Sequence, residues 1–122
     1  MITTKELVQS YYDSLIRKDS KWQDLYSDEA VFSDASRTLL AESKKAVIQS
    51  FAPFLKGVAG LNVSQAIFEG EKACFIISYI YVNSKKEQMK QDVAEIWEVR
   101  RGKLVSLTIY FDLTAYRRFM QG

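Results

Sequence analysis

The stretch Cys74-Phe75-Ile76-Ile77-Ser78-Tyr79-Ile80-Tyr81-Val82 decides how this chain must fold. It is rich in β-branched and aromatic residues, which suit a pleated strand. Side chains alternate in direction along a strand, so Phe75, Ile77, Tyr79 and Tyr81 share one face and Cys74, Ile76, Ile80 and Val82 the other. Both faces are apolar, whereas a sheet covered on one side alternates apolar with polar. Cover is therefore needed twice. Helices can supply it once, and a second copy of the chain, packed sheet to sheet as a homodimer, is the expected cover for the other face. A tightly curled sheet that covers itself is the competing reading. Ser78 is the one polar residue in the run and needs a hydrogen-bond partner.

Working outward, residues 63–68, 89–99 and 104–111 have the same strand-forming character. The separators Glu69-Gly70-Glu71-Lys72, Asn83-Ser84-Lys85-Lys86 and Arg100-Arg101-Gly102-Lys103 are short and polar, as hairpin loops are. The second half thus predicts an antiparallel meander of long strands. The first half has a different period. Thr3 and Glu6 have capping-box spacing, and Leu7, Tyr11 and Leu15, flanked by Val8, Tyr12 and Ile16, recur at helical intervals up to about Lys18. Ser20 with Gln23 repeats the capping pattern before a short helix expected to bury Trp22, Leu25 and Tyr26. Residues 30–34 predict a brief strand. A third helix is expected from Glu42 or Ser43, with Val47, Ile48, Phe51, Phe54 and Leu55 as its apolar stripe. Pro53 should bend that helix or end its regular part. A last short helix over 114–120 follows Asp112, a suitable N-cap. Helices first and strands after make the class α+β, in a single domain over residues 1–122.

Composition removes several kinds of chemistry. The net charge is +2, and Lys and Arg are interleaved with Asp and Glu, so no basic stripe for nucleic acid exists. Lys85-Lys86 and Arg100-Arg101 read as hairpin tips and Arg117-Arg118 as the wet face of a helix. Neither a leader segment nor an apolar run near ~18 residues is visible, so no membrane partner is expected. Cys74 is the only cysteine and cannot pair within the chain, which fits a reduced, cytoplasmic setting. There is no histidine. That removes the commonest general base near neutrality and the commonest transition-metal ligand. With a single cysteine as well, no metal site is expected, and no cofactor either. Acid–base chemistry must come from carboxylates, Tyr or Lys.

Four stretches in order resemble the nuclear-transport-factor-two-like superfamily, which includes SnoaL-like polyketide cyclases and ketosteroid isomerases. They are Val8-Gln9-Ser10-Tyr11-Tyr12, residues 25–34 (Leu-Tyr-Ser-Asp-Glu-Ala-Val-Phe-Ser-Asp), Ser50-Phe51-Ala52-Pro53-Phe54-Leu55, and Gly102-Lys103-Leu104-Val105-Ser106-Leu107 running into Tyr110-Phe111-Asp112. The resemblance implies a cone: a curved antiparallel sheet wrapped around three N-terminal helices, a cystatin-like α+β roll with a pocket between them. Such a fold hosts many chemistries, so it does not fix the reaction. In the ketosteroid isomerases a carboxylate base works with a Tyr and a protonated Asp, a worked case of pKa tuning. The resemblance sets Asp34 at the base position and Tyr11 at the Tyr position. The third position falls on Ala94, with Asp92 on the same strand face and Glu95 on the opposite one, so the isomerase set is incomplete.

Each candidate has a plainer reading. Asp34 is either a catalytic base or a strand-end carboxylate, and Tyr11 either a donor to ligand or core packing. Asp112 either orients a ligand, beside Tyr110 and Thr108, or caps the last helix. Trp97, Phe54 and Tyr26 either wall a ligand pocket or pack the core. Two functions remain open. One is cofactor-independent proton transfer, of isomerase or cyclase type, on a small apolar or carbonyl-containing ligand. The other is a non-catalytic binding or dimerisation module.

Overall fold

The computed structural model describes residues 2–34 and 39–121. Helix α1 (Thr4–Arg17) opens on the expected capping box: Glu6 N–H donates to Thr3 Oγ1 at 3.1 Å and Thr3 N–H donates to Glu6 Oε1 at 3.2 Å. Its inner stripe buries Leu7, Val8, Tyr11, Tyr12 and Leu15, while Ile16 faces solvent. The next turn is a 3-10 helix (Lys21–Leu25), and Ser20 makes no side-chain cap for it. Ser14 does that work from α1. Its buried hydroxyl accepts the N–H of Trp22 at 2.9 Å and donates to the Asp19 carboxylate, which also accepts the Lys21 N–H at 3.0 Å. This polar knot turns the chain and drops Trp22 into the core.

Helix α2 (Lys44–Lys56) is capped by Ser43, whose Oγ accepts the Ala46 N–H at 3.1 Å. Pro53 lies inside it, and the helix runs on to Lys56 rather than stopping there. Only one turn remains beyond the proline, closed by Gly57 N–H donating to the Phe54 carbonyl at 3.1 Å.

The strands are β1 (Tyr26–Asp34), β2 (Leu39–Ala41), β3 (Val58–Glu69), β4 (Lys72–Val82), β5 (Gln88–Arg100) and β6 (Lys103–Tyr110), followed by α3 (Leu113–Met120). They form one curved, unclosed sheet in the order β2-β1-β6-β5-β4-β3. The meander β3 to β6 is antiparallel, as expected. Its tight turns hold positive φ at Gly70 (59°) and at Arg101 (53°) and Gly102 (73°), the backbone that two-residue hairpins require. Strand β1 starts at Tyr26, earlier than residue 30, and joins β6 in parallel, with Phe32 beside Leu107 and Asp34 beside Ile109. The sheet is therefore mixed, not antiparallel throughout. Strand β2, which has no counterpart in the sequence reading, extends the edge.

Helices α1 and α2 cover the inner face, where Phe75, Ile77, Tyr79 and Tyr81 are sealed from water. The other face stays partly open: Ile67, Ile80 and Ile96 are 66%, 38% and 37% exposed, and Cys74 is half-buried. The chain does not curl tightly enough to cover itself. Ser78 finds its partners there, donating to Asp92 Oδ1 at 2.6 Å and lying 3.1 Å from Ser64 Oγ. Among the described residues no helix is long and apolar enough to cross a membrane.

Candidate functional site

Below α2 and α3, the inner face of β1, β5 and β6 leaves a pocket of about 190 Å³. Phe32, Phe51, Phe54, Val93, Ile109 and Phe111 make most of its wall. Four polar residues also line it: Asp34, Ser50, Glu95 and Arg117. Asp34 ends β1, Arg117 comes from α3, and Glu95 sits mid-strand on β5.

Glu95 is the unusual member. On β5 the buried residues are Val93, Glu95, Trp97 and Val99, so strict alternation carries this carboxyl inward. It is 0% exposed. The Tyr12 hydroxyl donates to Oε1 at 2.5 Å and the Tyr79 hydroxyl to Oε2 at 2.7 Å. Tyr12 in turn accepts the indole N–H of Trp97 at 2.8 Å. Burial disfavours the charged form and pushes the Glu95 pKa up to about 7, although both phenol hydrogen bonds pull it down. The same burial, next to a carboxyl, lifts Tyr12 and Tyr79 well above the ordinary phenol range. Glu95 thus exchanges a proton near neutrality while the phenols stay protonated. Among the described residues no buried side-chain polar atom lacks a partner, so the arrangement is fully satisfied.

The sequence candidates separate into three groups. Asp34 and Phe54 line the pocket. Tyr11, Tyr26 and Trp97 lie in the layer behind it, fully buried: the Tyr26 hydroxyl donates to that of Tyr11 at 3.2 Å, and the Tyr11 ring centroid is 4.6 Å from that of Trp97. Tyr12, one residue further along α1, is the phenol that reaches a carboxyl. Tyr110 and Asp112 are turned away. Tyr110 is 37% exposed and pairs with Ala94 on the outer side, and Asp112 Oδ1 caps α3 by accepting the Ala115 N–H at 2.9 Å. The reason is a bulge. Val99 pairs with Leu104 but Glu98 with Ser106, so β6 carries one extra residue, and beyond it Leu107 and Ile109 face inward instead of Thr108 and Tyr110. Ala94, the expected acid position, belongs to the outer face, and the inward acid is its neighbour Glu95. Its signal in the sequence is alternation: Glu95 lies two residues from Trp97, on the same face of the strand.

A wider groove of about 480 Å³ runs between Leu15, Trp22, Leu55 and Leu61, with Lys18, Asp19 and Lys56 on it. Its carboxylate is already engaged by Ser14, Lys21 N–H and Arg17, which hold the Asp19 pKa down to about 2. A group so acidic takes up no proton near neutrality. The smaller pocket holds the carboxyl whose pKa burial raises.

A model of the SnoaL-like domain matches residues 8–107. No curated protein matches the chain in sequence. Among solved structures, a nuclear-transport-factor-two-like protein of unknown function from Burkholderia pseudomallei K96243 superposes with a TM-score of 0.84 at 13% identity, over 100% of both chains. SalBIII, an epoxide hydrolase/cyclase-like enzyme in pyran ring formation in the polyether salinomycin, gives 0.81 at 13% identity over 91% of this chain and 92% of its own. TerC, co-crystallised with polyporic acid, gives 0.79 at 12% identity over 98% of both. At such identities the likeness is one of fold. The family model spans all but the ends of the chain, and with the cone of helices on a curved sheet it shows that this protein belongs to the SnoaL-like domain family, within the nuclear-transport-factor-two-like superfamily.

Proposed function

We propose that the protein binds a small, largely apolar carbonyl compound in the 190 Å³ pocket and moves a proton on it without a cofactor, in the manner of an isomerase or cyclase. The observation that carries this is Glu95: a residue of the pocket lining whose carboxyl is sealed from water, with a pKa of about 7. A group with that pKa is both a usable acid and a usable base at neutral pH. Asp34, on the same pocket, is the second carboxylate, so one can take a proton while the other returns it. Tyr11 has a supporting part, its ring 5.3 Å from that of Tyr12 and perpendicular to it. The volume sets the ligand's size. An apolar cavity of about 150 Å³ accommodates benzene, so a single-ring compound fits here. Family membership and the cyclase-like and ligand-bound fold relatives favour a small-molecule role.

The exposed apolar rows at Ile67, Ile80 and Ile96 favour a homodimer through the outer sheet face, in a reducing cytoplasmic setting where Cys74 stays a thiol. The test of the catalytic reading is deuterium uptake at the α-carbon of single-ring ketones, followed by NMR. Wild type is expected to exchange the α-protons with a pH profile centred near 7. Glu95→Gln and Asp34→Asn should bind the ketone and fail to exchange it. Binding without exchange in wild type would leave the non-catalytic module as the function, and absence of binding would remove the pocket reading as well.

A further inference from the structure

The chain of hydrogen bonds behind the pocket has a fixed direction. An indole N–H only donates, so the Tyr12 oxygen accepts from Trp97, and among the hydrogen bonds of the described residues Glu95 Oε1 is the acceptor its own proton meets; turned elsewhere, that buried proton would be left unpaired. Oε1 is therefore an acceptor in either protonation state. Oε2 is different. It meets the Tyr79 hydroxyl, for which no second, direction-setting donor is present among the hydrogen bonds of the described residues. That hydroxyl can donate to the carboxylate and, by rotating, accept from the carboxylic acid.

We propose that Trp97 is a positioning residue: by locking the Tyr12 hydroxyl toward Oε1, it assigns the exchangeable proton of Glu95 to Oε2, beside Tyr79. This rests on the reading of Glu95 as the proton-transfer group. The groups facing Glu95 are Tyr11 and Tyr12 from α1, Tyr26 from β1, and Tyr79 and Tyr81 from β4, with Asp34 and Arg117 on the same pocket. The phenols all have raised pKa values, so they do not ionise in the range where Glu95 does. Two consequences follow. Ionisation of Glu95 must polarise the whole chain through Tyr12 to the Trp97 indole. Loss of Tyr12 must harm mainly the ionised form, since a hydrogen bond to a carboxylate is stronger than one to a neutral acid, whereas loss of Tyr79 removes a partner from both forms.

The test is a pH series from 5.5 to 8 on the intact protein. It follows the indole N–H resonances, of which the sequence allows two, Trp22 and Trp97, and the carboxyl carbon of Glu95 with labelled glutamate. With no histidine in the chain, little else in the side-chain set titrates in this window. The Trp97 resonance is expected to shift with the Glu95 midpoint while Trp22 stays fixed, and Glu95→Gln should freeze both. Tyr12→Phe should raise the Glu95 midpoint by about one unit, and Tyr79→Phe should move it clearly less. A Trp97 resonance that ignores a titrating Glu95, or equal shifts from the two Phe variants, would overturn the assignment and leave the proton-transfer reading intact. A Glu95 that does not titrate between pH 5.5 and 8 would overturn both. The wild-type measurement stands even if a variant fails to fold.

Discussion

Tyr79 and Tyr81 lie two residues apart on β4 with their rings nearly parallel, 10° between planes and 6.0 Å between centroids, yet their hydroxyls have different partners. Tyr79 donates to Glu95 Oε2 at 2.7 Å, and Tyr81 donates to Gln91 Oε1 at 2.8 Å. One bond is made to a group that carries charge, the other to a neutral amide. Tyr81→Phe should therefore cost about 1 kcal/mol at any pH, and Tyr79→Phe about 2 kcal/mol, nearly as much at pH 5 as at pH 8, because its hydroxyl has a partner in both forms of Glu95. Denaturant unfolding of the two variants at both pH values checks this.

Stability should fall as pH rises toward neutrality. The folded state holds the Glu95 proton up to about pH 7, whereas the unfolded chain releases it near the ordinary value of 4.5. The native protein binds more protons between those limits, so its advantage is complete below 4.5 and is lost through 7. A shift of that size corresponds to about 3 kcal/mol. Asp19 acts in the opposite sense: its pKa is lowered to about 2 from 3.8, so its contribution is present above 3.8 and disappears as pH falls. Glu95→Gln should flatten the loss between pH 5 and 8 and exceed wild type in stability at pH 8, as read from unfolding midpoints.

Helix α3 is amphipathic but has no fully buried residue, so its ends matter more than its packing. Asp112 caps it, Gln91 Nε2 donates to the Asp112 carbonyl at 3.1 Å, and Asn83 Nδ2 donates to the Phe119 carbonyl at 3.1 Å. Asp112→Ala should cost about 1 kcal/mol. Because Leu113 and Arg117 line the pocket, the same change should weaken ligand binding and speed amide exchange across 113–120 more than elsewhere.

The outer sheet face makes the proposed dimer testable. Ile80 and Ile96 present apolar surface from neighbouring strands. A lysine at either position would have to be desolvated in a sheet-to-sheet dimer, at a cost of several kcal/mol. Ile80→Lys is expected to convert a dimer to a monomer in sedimentation velocity while leaving far-ultraviolet circular dichroism unchanged.

Local chemistry made much of the architecture readable. Thr3 with Glu6, Ser43, Asp112 and the Arg101-Gly102 turn each act through neighbours within a few residues, and their positions agree with the structure. The parallel contact of β1 with β6 has no such signature, since Phe32 and Leu107 meet only after the rest of the sheet has formed. The 3-10 turn depends on Ser14, six residues upstream of the Ser20 that resembled its cap. At the site, the family resemblance points to Asp34 and the apolar stripe of α2 supplies Phe54, and both line the pocket. The family pattern points one residue away from Glu95, to Ala94, although simple alternation from Trp97 reaches the glutamate. The resemblance likewise points to Tyr11, whereas its neighbour Tyr12 meets the carboxyl; adjacent residues on a helix differ by about 100° in direction, and sequence alone does not say which of two buried tyrosines does so.

The surplus residue in β6 reaches well beyond its own strand. By reversing parity near Val105, it gives Ile109 to the hollow and releases Asp112 to start a helix that roofs it. The same residues paired with β5 in unbroken register would present a phenol and a carboxylate to the cavity and leave its roof without an anchor. One unpaired residue in the register of a strand thus governs how polar the chamber is.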